Sequence, residues 1–474
     1  MWGVDYARDI IVNNLDKKFL VYFDPDVDGA FAGVLPWRFL ISKGCSVDVC
    51  MNKNRKHGVI REFTGKEDYG VIISVDSFVP FEKVKELVDL GFNFISIDHH
   101  ECGEDKIIYE GENTCRGIVI NNQYPWERED RRYLSGAGVV YEVFSQMFQE
   151  EDFSWFGDVV GVTLLSDVRD ISSEGAKGYL ERTYSAHKKN KYVQYLIDEC
   201  DRFKVSYSFG RNHFDRSFIS FTLSPTINSL LRFNYVREVI DFVTGKGLRK
   251  YANKAQKELI EKTLKDHIEL VNLNGTAIVK VEDWAKDIEM SNFIGLIANN
   301  LLSNEYKNVV CYVKSKKGTS RASFRSINQG YDFLSKFKEA GYNAIGHKNA
   351  FGILDFVDKR VNVGWFRGLC DESSEVDLKR SYIEVRNMLT FKNSGRALQI
   401  AKDNDLGMDK DRVFVKYVGN NLKVDKYADN YVRLRYDNEV VMLFDVEAKG
   451  YSDYLVDVST SNGVVNFVLT SFKE

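Results

Sequence analysis

The chain reads as an α/β protein: a doubly wound parallel sheet at its N-terminal end, a second α/β unit, and a mostly β C-terminal region. Three observations predict this. Apolar runs recur that end in carboxylates, and helical stretches alternate with them. Late in the chain, five short β-type runs are punctuated by glycine and asparagine. Strand–helix alternation implies a parallel sheet, and clustered short strands imply a barrel or sandwich.

At 474 residues the chain exceeds what one core serves, so several domains are expected. A formal net charge of −4 excludes a globally basic nucleic-acid binder; any such partner must be held by a local patch. The seven cysteines form no CxxC pair and no zinc spacing, which fits reduced thiols in a cytoplasm. No apolar run approaches a membrane span, and the N-terminus lacks a signal-peptide core. A soluble, cytoplasmic protein with no membrane partner is the expectation.

The first strand, Phe19 to Phe23, is a continuous apolar run, as buried parallel strands are. It leads into Asp24, Asp26, Asp28 and Gly29. Three acids at a strand's carboxyl end repel one another, and a bound cation relieves that repulsion. A calcium loop is set aside, because its twelfth position needs Glu and is Leu35 here. Helical spacing follows from Ala30 to Lys43, with a kink or break expected at Pro36. The run Gly70–Val75 ends in Asp76, and Phe92–Ile97 ends in Asp98, His99 and His100. Gly157 to Asp167 is a fourth apolar run that periodicity leaves open between strand and buried helix.

A basic excess runs from Lys188 to Glu269, and Lys246 to Leu270 has the composition of one long helix. A second α/β unit follows, from about Asn272 to Val357. The remainder starts helical near Leu378 to Leu389 and turns to β from Val413. Domain boundaries are expected at 1–190, 191–271, 272–358 and 359–474.

Asp24, Asp26, Asp28, Asp76, His99 and Asp167 all lie at or beside strand ends. Gathered at one edge of one sheet, they make a two-metal site by ligand count. Carboxylates with imidazole favour Mn²⁺, with Mg²⁺ the alternative. Adjacent side chains diverge, so one of the two histidines is expected to bind metal and the other to face substrate.

The order D-x-D-x-D-G, V-D-S, D-H-H, S-D-V resembles the four motifs of the DHH phosphoesterase superfamily. Within it the chain resembles the RecJ-type single-strand exonucleases. Leu223-Ser-Pro-Thr-Ile-Asn228-Ser-Leu-Leu-Arg232 is similar to their P-R-I-N-A-A-G-R motif. Ser323-Phe-Arg325-Ser and Gly346-His347-Lys-Asn-Ala-Phe-Gly352 are similar to motifs of the DHHA1 domain. The resemblance implies that Asp26 and Asp28 each serve one metal, that Asp76 bridges, and that His99 and Asp167 complete the second site. Asp24 takes the extra acidic position of the exonucleases. Where small-substrate members place a His, this chain has Tyr22. Asp98 and His100 become the catalytic pair, with His100, Arg325 and His347 toward phosphate. Ser323 and Gly346 complete the substrate contacts, and Asn228 with Arg232 lines a groove between domains. Thr226, Leu231 and Ile345 depart from the motifs, marking a divergent member such as a phage or mobile element carries.

The resemblance thus implies a hydrolase that digests single-stranded nucleic acid, DNA before RNA, from an end, with a place in DNA repair. The C-terminal region matches only loosely the OB-like domain of this group. The rival readings are a phosphodiesterase for short oligonucleotides or cyclic dinucleotides, and a silent scaffold in a replication or repair complex.

Overall fold

The structure, a computed structural model, describes residues 1–53, 55–102, 107–112, 114–167, 169, 173–203, 214, 218–302, 305–314, 320–326, 331–356 and 363–374. Beyond these it describes the strand segments 382–385, 414–418, 423–428, 431–436, 439–444, 453–461 and 464–473. The chain divides into two units. One comprises 1–228, 236–250 and 381–474, and the other comprises 229–235 and 251–380.

In the first unit, β1 (Lys18–Phe23), β2 (Val47–Met51), β3 (Tyr69–Val75), β4 (Asn93–Asp98), β5 (Ile108–Glu110) and β6 (Arg116–Asn121) form one sheet. Its order is β2-β1-β3-β4-β6-β5, parallel except for β5. Phe19, Leu20, Val21, Tyr22 and Phe23 are all fully buried, as a strand covered on both faces requires. The chain runs from β1 out to β2 and returns to the other side of β1 as β3. That reversal is a topological switch point, where the carboxyl ends of strands open onto a crevice. The acids that follow β1, β3 and β4 therefore share one edge.

Two helices, Val27–Ala32 and Val34–Ser42, stand where the sequence predicts one. The break falls at Gly33, not at Pro36. A Cβ on Gly33 would lie 2.3 Å from the Phe23 ring, while Pro36 sits in the first turn of its helix, where no intrahelical N–H is needed. The undecided run after Gly157 is helical, as Val160–Ser166. Residues 108–121, which carry β5 and β6, have no counterpart in the sequence reading.

In the second unit, β7 (Ile268–Leu273), β8 (Thr276–Val281), β9 (Asn308–Lys314), β10 (Ser320–Ser326), β11 (Ala344–His347) and β12 (Ala350–Phe356) form a sheet. Its order is β11-β12-β10-β9-β8-β7. Here the long helix expected over 246–270 is corrected. The helix is Asn253–Asp266, and β7 begins directly after it. Asn274 (φ 53°) and Gly275 (φ 84°) form the left-handed pair that closes the β7–β8 hairpin. Asn-Gly suits such a turn because both residues tolerate positive φ.

The strand Tyr382–Val385 lies where a helix was expected over 378–389; residues 378–381 and 386–389 fall outside the described residues. Valine, isoleucine and tyrosine favour a strand there. It joins Phe414–Val418, Asp453–Ser461 and Val464–Lys473 in a four-stranded sheet. Lys423–Ala428, Tyr431–Tyr436 and Glu439–Phe444 form a three-stranded meander.

Candidate metal centre

The site begins with the turn after β1. Asp26 caps the helix Val27–Ala32: its Oδ1 accepts from the Gly29 amide at 2.8 Å. Gly29 is there for room, since a Cβ would lie 2.6 Å from the Asp24 carbonyl oxygen. Asp28 is buried in the first turn of the same helix and reaches the N-terminus of another, Gly136–Met147. Its two oxygens accept from the amides of Gly136 (2.6 Å) and Ala137 (2.9 Å), where helix dipole and free N–H groups favour an anion. Burial nevertheless pushes its pKa up to about 7, with Asp26 adding repulsion.

Asp76 feels the charge of four other acids. It is 1% exposed, and neither carboxylate oxygen accepts a hydrogen bond. Its backbone is left-handed at φ 57° and is tied by its amide to the Ile97 carbonyl at 2.9 Å. Burial, then the charges of Asp28, Asp26, Asp24 and Asp167, drives its pKa well above the usual range. Such a group costs stability unless something positive meets it. His99 Nε2 lies 3.0 Å from Asp76 Oδ1 and 3.8 Å from both Asp28 Oδ2 and Asp167 Oδ2. Asp167 follows the helix Val160–Ser166, with Arg169 Nε 3.9 Å away.

Among the described residues, three donor sets result: Asp28, His99 and Asp167 bring ligand atoms within 4.8 Å of one another, as do Asp24, Asp26 and His57, and Asp76, His99 and His100. The charges of Asp28, Asp26, Asp24 and Asp167 all act on Asp76. The residues fit hard divalent cations: oxygen donors dominate, imidazole is present, and the buried Asp76 carboxylate accepts no hydrogen bond.

His100 does not repeat the role of His99. Its Nδ1 bonds Asp98 Oδ1 at 2.7 Å, and 46% of its side chain is exposed. Burial opposes charge on the ring, but the Asp98 carboxylate lifts its pKa to about 9. Asn121, at the end of β6, donates to the His100 carbonyl at 2.9 Å and to Asp98 Oδ2 at 3.4 Å. Asp98 is thus an orienting partner for His100.

The sequence reading missed His57, Ser77 and Asn121 as site residues. Ser77 Oγ donates to Asp24 Oδ1, and His57 Nδ1 pairs with Asp24 Oδ2. Arg55 is a further neighbour: burial lowers its pKa, opposed by the charges of Asp26 and Asp24.

Among the residues assigned to substrate, Arg325 Nη1 donates to Ser323 Oγ at 2.8 Å and to the Phe324 carbonyl at 2.6 Å. In register, Arg325 faces Ala350, and Ala350 faces His347 on the next strand. Gly346, at φ 143°, packs so closely that a Cβ would lie 2.8 Å from Phe351 Cα. Asn228 and Arg232 are one turn apart on the helix Ser224–Arg232, and Arg232 Nη1 donates to Gln256 Oε1 at 3.1 Å.

The raised groups set a pH dependence for the metal-free protein. Stability from the protonated Asp24, Asp28, Asp76 and Asp167 is complete below about pH 4 and drains as pH rises through their elevated values. His57 and His100 act in the same sense, with stability full below about pH 6.5 and lost as pH passes their raised values. We expect the metal-free melting temperature to fall from pH 5.5 to pH 8.5, and the gain on adding Mn²⁺ to be larger at pH 8 than at pH 6. In Asp28→Asn the fall should flatten near pH 7; an unchanged slope by calorimetry would contradict the burial argument.

Residues 18–160 match the DHH family, N-terminal domain. The chain is 24% identical over 405 residues to the putative SPbeta prophage-derived single-strand DNA-specific exonuclease YorK of Bacillus subtilis (strain 168), covering 77% of this chain and 66% of that one. It therefore spans just under two thirds of that relative's length. RecJ in complex with Mn²⁺ from Thermus thermophilus superimposes with a TM-score of 0.71 at 14% identity, covering all of this chain and 72% of that one. The same protein with Mg²⁺ gives 0.65 at 13% identity, covering 100% and 70%. No helix among the described residues is long and apolar enough to cross a membrane. The DHH match thus lies on the sheet whose strand ends carry the clustered acids, and the chain is RecJ-like in fold.

Proposed function

We propose that the chain is a metal-dependent phosphodiesterase that degrades single-stranded nucleic acid, DNA before RNA, from an end. One observation carries the reading: the buried Asp76 carboxylate receives no hydrogen bond, and the acids of two neighbouring donor sets repel it. The name of the Bacillus subtilis relative and the RecJ-like fold support the substrate class. Asp28, His99 and Asp167 would hold one cation, and Asp24 with Asp26 the other, with Mn²⁺ preferred to Mg²⁺. Two such cations supply an activated water and neutralise charge on the phosphate and the leaving oxygen. The chain's own residues do the rest. The Gly136 and Ala137 amides orient Asp28, while Asp98 and Asn121 hold His100 charged toward the phosphate. Ser323, Arg325, Gly346 and His347 bind the nucleic-acid strand.

The two histidines separate the roles. His99→Ala should weaken metal affinity about 10–100-fold, with partial rescue by excess Mn²⁺. His100→Ala should lower kcat about 10²–10⁴-fold, the range of a positioned acid–base group, with metal affinity unchanged. Calorimetric Mn²⁺ titrations decide this; equal affinities in the two variants would contradict both assignments.

The substrate is tested with a 2-mer and a 20-mer of DNA and of RNA, labelled at either end. The proposal expects kcat/KM to favour the 20-mer and single strands over blunt duplex. Preference for the 2-mer would favour a small-substrate phosphodiesterase, and no turnover of any substrate would favour a scaffold.

A further inference from the structure

The loop between β2 and β3 brings a histidine to the acids, although it belongs to none of the strand-end motifs. Its placement is built, not incidental. Asn52 Nδ2 donates to the carbonyls of Lys56 and Gly58, each at 2.7 Å, and Asn52 Oδ1 accepts from the Tyr22 hydroxyl on β1. Gly58, at φ 85°, turns the chain so that its amide reaches Ser77 Oγ at 3.0 Å and Asp24 Oδ1 at 3.3 Å. These bonds, with Ser77, occupy Asp24 Oδ1 and leave Oδ2 to His57 Nδ1. Asp26 spends Oδ1 on its helix cap and keeps the other oxygen.

On this geometry we propose that His57 is a direct ligand of the cation held by Asp24 and Asp26. The inference rests on the two-cation reading and deepens it. One ligand atom each from Asp24, Asp26 and His57 already lies within 4.8 Å of the others. Arg55, another loop side chain on which the charges of Asp26 and Asp24 act, has no lone pair to give, whereas the His57 imidazole does. A cation at these two carboxylates would also offset the repulsion that Asp24 and Asp26 exert on the buried Asp76. With an ion bound, Nδ1 would offer it a lone pair, any proton it carried passing to solvent. Tyr22 fits the same account: its hydroxyl anchors the loop that delivers the imidazole.

The test uses the full chain without substrate. Mn²⁺ titration of the wild type should show two ions, and in His57→Ala one of them should weaken about 10–100-fold while the other is unchanged. His57→Cys, titrated with Cd²⁺, should bind more tightly than His57→Ala and show a thiolate-to-cadmium ultraviolet band absent from His57→Ala. That band requires direct coordination, which a residue that only positions Asp24 would not produce. Two Mn²⁺ sites unaffected by His57→Ala, or a His57→Cys variant without the band, overturn the ligand role and leave the two-cation reading standing. A wild type that binds no Mn²⁺ overturns both.

Discussion

Asp76→Asn is expected to lower kcat by about 10³-fold or more, the scale of losing a group that acts on charge in the transition state. It should leave the metal-free fold at least as stable as the wild type. Both outcomes come from one fact: Asp76 is buried among four other carboxylates and accepts no hydrogen bond. Removing its charge relieves repulsion when no cation is bound and, on the proposed two-cation reading, removes the shared ligand when cations are. Asparagine is the right substitute because the backbone is left-handed, at φ 57°. Asn tolerates that region, whereas alanine would add strain unrelated to metal binding. Melting curves with and without Mn²⁺ check the pair of claims: the Mn²⁺-induced shift should vanish. Activity within tenfold of wild type at saturating Mn²⁺ would contradict the bridging role.

Gly136→Ala should be nearly as damaging to turnover, although it adds one methyl group and removes no polar atom. The new Cβ would lie 2.3 Å from Asp76 Oδ1 and 2.5 Å from its Cγ. Asp76 cannot yield easily, because its backbone is bonded to Ile97 and its side chain is enclosed. The helix cannot yield without pulling the Gly136 and Ala137 amides off Asp28. One methyl thus disturbs Asp76 and Asp28, both ligands in the proposed reading, together. We expect kcat/KM to fall about 10²–10³-fold, comparable to losing one charge-stabilising group, with a stability cost of about 1–3 kcal/mol from overpacking. Gly138→Ala is the control. Its Cβ would meet the apolar side chains of Leu134 at 3.1 Å and Val160 at 3.3 Å and none of the acids, and activity should stay near wild type. Equal activity in the two variants would show that the close approach at Gly136 does not matter.

The strand ends were legible because a strand buried on both faces leaves a continuous apolar run, and the acids after β1, β3 and β4 interrupt it abruptly. Their convergence followed from strand–helix alternation alone. His57 was not legible. It sits in a polar loop without periodicity, and only the contacts of Asn52, Tyr22 and Gly58 bring it to Asp24. Asn121 was hidden for a related reason: β6 is a short run whose end carries an amide, not a charge. The helix over 246–270 was overextended because strong helix formers continue past Asp266, while the Asn274-Gly275 turn that pairs β7 with β8 lies beyond the window that periodicity reads. The strand Tyr382–Val385 shows the converse, with β-favouring residues standing among helix formers.

Crystals grown with Mn²⁺, and diffraction recorded at the manganese absorption edge, test the two-cation claim most directly. The account predicts two anomalous peaks, one against Asp24 and Asp26, the other against Asp28, His99 and Asp167, with the Asp76 carboxylate in contact with both. A single peak, or two that leave Asp76 without a cation, would contradict it.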